Sequence, residues 1–150
     1  MFNTQRVETM YKMFAGCKSL ERVNLSSFST ENVFSIESMF VNCKSLQMLD
    51  LSNFRTPRLE IMLSAFNNCN SLVALDISNF DISNVKDARL AFANCENLTG
   101  ITKNDPSVLN DSARTANMFN GCYRLPNFSK TRTNGTYAKS TEKGGYFVSI

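Results

Sequence analysis

Residues 39–54 decide the fold, and they read Met39-Phe40-Val41-Asn42-Cys43-Lys44-Ser45-Leu46-Gln47-Met48-Leu49-Asp50-Leu51-Ser52-Asn53-Phe54. The same motif recurs along the chain. Its cysteine recurs at intervals of 26, 26, 26 and 27 residues, as Cys17, Cys43, Cys69, Cys95 and Cys122. A phenylalanine three residues before each cysteine and a leucine three residues after it keep the same period. We therefore expect about five repeat units that bury their apolar sides by stacking on one another.

The first half of each repeat has helical spacing, with apolar residues 3, 4 and 3 apart, as in Val33, Ile36, Phe40 and Cys43. A threonine precedes this segment where a hydroxyl can cap a first helical turn, at Thr4, Thr30 and Thr56. The residue before each cysteine is glycine or asparagine, which most readily adopt the left-handed conformation that ends a helix. These residues are Gly16, Asn42, Asn68, Asn94 and Gly121. The pattern predicts a helix of about ten residues in each repeat.

The second half of each repeat alternates apolar and polar residues, as a half-buried strand does. Examples are Leu49-Asp50-Leu51, Leu75-Asp76-Ile77 and Val23-Asn24-Leu25. The sequence therefore predicts an α/β repeat solenoid like the leucine-rich repeat proteins, with short parallel strands on one side, short helices on the other and about five turns. Residues 99–114 lack the strand motif. We expect the solenoid to span residues 1–129 and residues 130–150 to form a C-terminal cap, whereas the N-terminal end is expected to be uncapped.

Composition excludes several functions. The chain has no histidine, which removes the commonest general base and metal ligand. Residues 1–129 carry 12 basic and 12 acidic side chains, so the net charge of +3 comes from the last segment and no basic face for nucleic acid is evident. No apolar run approaches the ~18 residues that a membrane helix needs. We expect no catalysis, no cofactor, no nucleic acid partner and no membrane insertion.

The cysteines admit three interpretations. Metal sites usually use close cysteine pairs, often with histidine, whereas each cysteine here stands alone in its repeat. Disulfides between neighbouring turns are not sterically excluded, but five equivalent thiols leave one unpaired. We favour free, buried cysteines that act as small apolar side chains behind the helix end, and no metal site.

Polar residues on the strands are the best candidates for a binding surface. If the leucines of each strand point inward, the residues between them form a regular face: Arg22, Asn24, Ser26, Met48, Asp50, Ser52, Ala74, Asp76 and Ser78. Extended sheet faces of solenoids often bind proteins. The alternative is that small polar residues only solvate this side, with Asp50 and Asp76 capping turns. The two aspartates also resemble a carboxylate pair, but they lack a predicted pocket.

The phrase from Met39 to Phe54 closely resembles the BspA-like repeat of bacterial surface proteins, also seen in mycoplasma and listerial lipoproteins. Residues 79–85 look like its linking segment, and Gly144-Gly145-Tyr146-Phe147 looks like the ending of such arrays. The resemblance implies a leucine-rich-repeat-like fold and display on a cell surface with adhesion to host or neighbouring proteins. We expect a protein-interaction module at a cell surface, outside the cell or on a virion. The alternative is a structural assembly component that packs, or self-associates, through its open N-terminal end.

Overall fold

The computed structural model describes residues 3–104, 108–126, 128, 130 and 133–134 and a strand at 147–148. The chain runs in successive coils: the first is residues 4–29, the second 30–55 and the third 56–81, while the fourth begins at 82 and the fifth at 109. Parallel bridges join the same position of all five coils, in the order Thr9, Ser35, Ile61, Asp87 and Arg114. Consecutive 26-residue units therefore stack in register.

A parallel sheet runs along one side of the stack in the order β1-β2-β3-β4. Its strands are β1 (Met48–Asp50), β2 (Ala74–Asp76), β3 (Gly100–Thr102) and β4 (Phe147–Val148). Leu49 pairs with Leu75, which pairs with Ile101, and all three side chains are buried. β4 lies beside β3, where the strand of a following coil would lie. Most of the predicted cap, including Gly144-Gly145, lies outside the described residues.

Two strand predictions were wrong. Residues 23–25 form no strand, although Leu25 is buried. Residues 100–102 form β3, although they lie in the segment expected to lack a strand. The strand needs only one inward apolar side chain, Ile101, between two neighbouring strands, so the missing leucine pattern did not prevent it.

The predicted helices are absent from the residues that the structure describes, so the α/β class and the leucine-rich-repeat arrangement of helices are wrong. An α-helix requires each amide to bond four residues back. Here every second amide donates instead to the next coil: Ile36 to Ile61, Ser38 to Leu63, Phe40 to Ala65 and Asn42 to Asn67, at 2.8–2.9 Å. The amides of Val41 and Cys43 donate three residues back, at 3.1 Å. Within the described ranges no helix could span a membrane.

Consecutive tight turns explain why the spacing resembled a helix. The left-handed conformation expected before each cysteine is confirmed, with φ of 75°, 62°, 61°, 59° and 80° at Gly16, Asn42, Asn68, Asn94 and Gly121. A second left-handed residue stands four positions earlier, at Lys12, Ser38, Ser64, Leu90 and Asn117. Two such residues per coil interrupt any helix. Turns of three or four residues still direct an apolar side chain inward at nearly helical intervals.

The core is a set of side-chain columns that run through the coils. Equivalent rings stack with centroids 5.2–5.8 Å apart, in the order Phe14, Phe40, Phe66, Phe92 and Phe119. The threonines were expected to cap helices, but their hydroxyls instead bind backbone carbonyls at the other end of the same coil. Each hydroxyl donates to the last carbonyl of its own coil: Thr4 to Ser29 at 3.1 Å, Thr30 to Arg55 at 2.8 Å and Thr56 to Asp81 at 3.1 Å.

Candidate functional site

The exposed face of β1, β2 and β3 carries two registered rows of side chains. One row runs Met48, Ala74 and Gly100, and the other runs Asp50, Asp76 and Thr102. Side chains in the first row shrink from methionine to glycine, and Met48 is 59% exposed. Together with Arg22 these strands line a shallow depression of about 430 Å³. We call this surface the sheet face.

The structure brings most of the predicted site residues together. Met48, Asp50, Ala74 and Asp76 lie on the strands, and Ser52 and Ser78 follow them. Ser78 is buried, so it offers little to a partner. Arg22, Asn24 and Ser26 are exposed, although no strand forms in their coil. The sheet face is therefore centred on β1 and β2, with Arg22 and Asn24 at its margin.

The carboxylates on this face also end the strands. The Oδ1 atom of Asp50 accepts a hydrogen bond from the Ser52 amide at 2.9 Å, and that of Asp76 accepts one from the Ser78 amide at 2.8 Å and another from the Ser78 hydroxyl. Asn24 does the same for Ser26 at 3.0 Å. These are turns closed by an Asp or Asn side chain. The turn-capping role considered for the aspartates is therefore present.

The sheet face carries two neighbouring carboxylates, and one of them has a lowered pKa. Hydrogen bonds from the Ser52 side chain and amide lower the pKa of Asp50, so this carboxylate stays ionised. A general acid would need a raised pKa. Asp50 and Asp76 are register partners on adjacent strands, which stand about 4.8 Å apart. The two carboxylates therefore form a registered pair on the exposed face of the sheet.

A family model described as "Mycoplasma protein of unknown function, DUF285" matches residues 1–105, which include the whole sheet face. The chain belongs to this family. No curated protein and no solved structure matches the chain. The family description assigns no activity, so it does not indicate what the sheet face binds.

The cysteines of this DUF285 member are free, as the sequence predicted, but they are not all buried. Cys17 is exposed, whereas Cys43, Cys69, Cys95 and Cys122 are buried. Each buried thiol donates to a phenylalanine carbonyl of the preceding coil, at 2.9–3.1 Å. Burial raises the pKa of Cys43 to about 11 and that of Cys122 to about 12. Among the described residues, no three His, Cys, Asp or Glu side chains are placed to hold a metal ion.

One charged cluster was missed by the sequence analysis. Asp87 is 4% exposed and occupies a bridge position that carries Thr9 and Ser35 in earlier coils. Its carboxylate accepts a hydrogen bond from Arg89 Nε at 2.9 Å and one each from the Nη2 atoms of Arg89 and Arg114 at 2.7 Å. Burial alone would raise the pKa of Asp87, but the two arginines outweigh it and the pKa is lowered. The carboxylate is fully paired, which indicates a structural role.

A second shallow recess, of about 370 Å³, lies away from the sheet face. It is lined by Phe34, Pro57, Arg58, Glu60 and Asn84, and the Phe34 ring is 37% exposed. The repeat pattern gave no signal for this recess, because position 34 is occupied by glutamate in the first and third coils, at Glu8 and Glu60.

Proposed function

We propose that the chain is a non-catalytic protein-interaction module displayed at a cell or particle surface, and that its sheet face contacts the partner. The observation that carries this proposal is an exposed methionine, Met48, beside the registered Asp50 and Asp76 in a shallow depression. Methionine is enriched at protein interfaces, and paired carboxylates attract Lys or Arg groups. The partner is then a protein with a basic contact segment.

The location at a surface rests on resemblance. Residues 39–54 resemble the repeat of BspA-like surface proteins, which are commonly displayed outside the cell for adhesion. The absence of histidine from the sequence supports binding rather than hydrolysis or metal chemistry. Both points favour adhesion to host or neighbouring proteins.

The test is binding of the purified chain to immobilised extracellular host proteins, with three variants. Met48→Glu should weaken binding at least about tenfold, because it removes an apolar contact and adds a charge at the centre of the face. Phe34→Glu is the matched control, since it makes the same kind of change in the other recess. Binding that survives Met48→Glu, or that is lost with Phe34→Glu instead, would contradict the proposal.

The aspartates need a change that preserves the turns. Asp50→Asn with Asp76→Asn keeps an oxygen that can accept the Ser52 and Ser78 amides, but removes both charges. We expect a slower association rate and a weaker dependence on salt concentration, because the charges steer a basic partner. Unchanged association kinetics would show that the charges of Asp50 and Asp76 do not contribute to recognition of the partner.

A second candidate is a structural component that packs on another subunit through the first coil. The observation that favours it is the partial exposure of core side chains there, such as Phe14 and Leu20. Sedimentation of the purified chain with its assembly partner tests it, because a complex that forms without covering the first coil would contradict this role.

A further inference from the structure

Among the described residues, no coil packs against the outward side of the first coil, whereas each later coil is covered by the coil before it. Five core positions of the first coil are only partly buried, at Val7, Phe14, Leu20, Val23 and Phe28. The equivalent side chains of the second coil are fully buried, at Val33, Phe40, Leu46, Leu49 and Phe54. Cys17 is exposed where Cys43 is buried. The outward side of the first coil is therefore an apolar layer with one side open.

This side also has a defined hydrogen-bonding pattern. In the second coil, four carbonyls accept amides of the first coil: Ser35, Glu37, Met39 and Val41, at 2.8–3.0 Å. The corresponding carbonyls of the first coil are those of Thr9, Tyr11, Met13 and Ala15, and no described residue donates to them. The amides of residues 10–15 are used elsewhere: three donate to the second coil, two close turns three residues back, and that of Tyr11 donates to the Thr9 hydroxyl at 3.2 Å. From residue 10 to residue 15 this side thus presents acceptors alone, while the amides of Glu8 and Thr9 just before it have no acceptor among the described residues.

A donor segment follows along the same side. The amides of Ser45 and Gln47 donate to the carbonyls of Lys18 and Glu21 in the first coil, each at 3.2 Å. The equivalent amides of the first coil belong to Ser19 and Glu21, and they have no acceptor within the described ranges. We call the acceptor row at residues 9–15 and the donors at residues 19–21 the first-coil edge.

Neither a β-strand nor a second copy stacked in register matches the hydrogen-bonding pattern of this edge. An ordinary β-strand presents amides and carbonyls in alternation, so an acceptor-only row would meet a carbonyl at every second position. A second copy stacked in register through the same edge would oppose carbonyls to carbonyls. The matching surface is the side that each coil turns to the next coil: amides at alternate positions, followed by carbonyls, over a layer of apolar side chains.

We propose that the first-coil edge docks a further coil of this same 26-residue repeat, and that its hydrogen-bond polarity selects such a coil over a β-strand or an in-register second copy. The proposal deepens the second candidate function by naming the chemistry of the docking partner, and it is independent of the sheet face. Docking would bury Phe14 and Leu20 and place the Cys17 thiol against a carbonyl, as Cys43 is placed now against Phe14.

The test supplies such a coil by fusion. A copy of residues 30–55, with its own cysteine replaced by Cys43→Ala, is joined directly ahead of Thr4, which keeps the 26-residue phase. The matched control carries the same 26 residues in scrambled order. The readout is alkylation of Cys17 in the folded proteins. We expect fast alkylation in the unfused chain and in the control, and alkylation at least about tenfold slower in the fusion.

Equal alkylation rates in the fusion and the control would overturn the proposal, including the case in which the added coil does not fold. Protection of Cys17 in the unfused chain that grows with protein concentration, together with a dimer in sedimentation, would instead identify a second copy as the occupant and also overturn it. An assembly that forms while Cys17 stays reactive would contradict the docking edge but would leave the sheet face unaffected.

Discussion

The same substitution at two equivalent glycines should have different costs, because the coils approach each other differently there. Gly16 and Gly121 occupy the same repeat position and have φ of 75° and 80°. A Cβ atom on Gly16 would meet nothing within 4 Å. A Cβ atom on Gly121 would lie 2.6 Å from Asn94 Oδ1 and 3.1 Å from the Asn94 Cα atom. Gly121→Ala therefore adds a steric conflict that Gly16→Ala lacks.

The two variants separate the backbone cost from the packing cost. Placing alanine in the left-handed region costs roughly 1–2 kcal/mol, which both variants share. Overpacking against backbone adds about 1–3 kcal/mol, which only Gly121→Ala incurs. We expect Gly16→Ala to lose about 1–2 kcal/mol of unfolding free energy and Gly121→Ala about 2–5 kcal/mol.

Urea denaturation followed by circular dichroism measures both losses on the same chain. Equal losses, or a smaller loss for Gly121→Ala, would refute the close approach of the fourth and fifth coils at this point. Gly16→Asn serves as a further control. It introduces the residue found at positions 42, 68 and 94, where Asn68 Nδ2 donates to Asn42 Oδ1 at 2.9 Å, so it should be less destabilising than Gly16→Ala.

Three other predictions concern the core of the stack. Thr56→Val should cost about 1–3 kcal/mol because it removes the hydroxyl that donates to the Asp81 carbonyl, and thermal unfolding that matches wild type would exclude this role. Asp87→Asn should destabilise the protein at pH 7. The folded-state pKa of Asp87 is lowered, so its contribution is present above the unfolded-state pKa and is lost as the pH falls through the folded-state value. The stability difference between Asp87→Asn and wild type should therefore shrink in acid, and a difference that grows would contradict this. Alkylation of the native protein at pH 9 should modify Cys17 and spare Cys43, whose pKa is raised to about 11, as mass spectrometry of labelled peptides can check.

The sequence was informative wherever the stack requires the same residue in every coil. The period correctly placed the phenylalanine column and the left-handed residue before each cysteine, because these depend on side-chain size or on backbone conformation at one position. It did not reveal the second left-handed residue of each coil, such as Ser38. It failed on the helices, because spacing records only which side chains point inward. Hydrophobic spacing does not show which carbonyl accepts the hydrogen bond from a backbone amide, such as the bond from the Phe40 amide to the Ala65 carbonyl.

The candidate site, like the fold, was only partly predictable from the sequence. Alternation around Leu49 and Leu75 correctly placed Met48, Asp50 and Asp76 on an exposed face. The burial of Ser78 was not predictable, because its position after the strand reads as polar and exposed. The pairing of Asp87 with two arginines was missed for another reason: Arg114 belongs to the next coil, and the irregular segment before it hides the register.

The most direct test of the stacked-coil architecture is NMR measurement of scalar couplings through backbone hydrogen bonds. Each coupling identifies which carbonyl accepts a given amide. Stacked coils predict couplings from the Phe40 amide to the Ala65 carbonyl and from the Phe66 amide to the Ala91 carbonyl. A coupling from the Phe40 amide to the Ile36 carbonyl, four residues back as in a helix, would contradict this architecture.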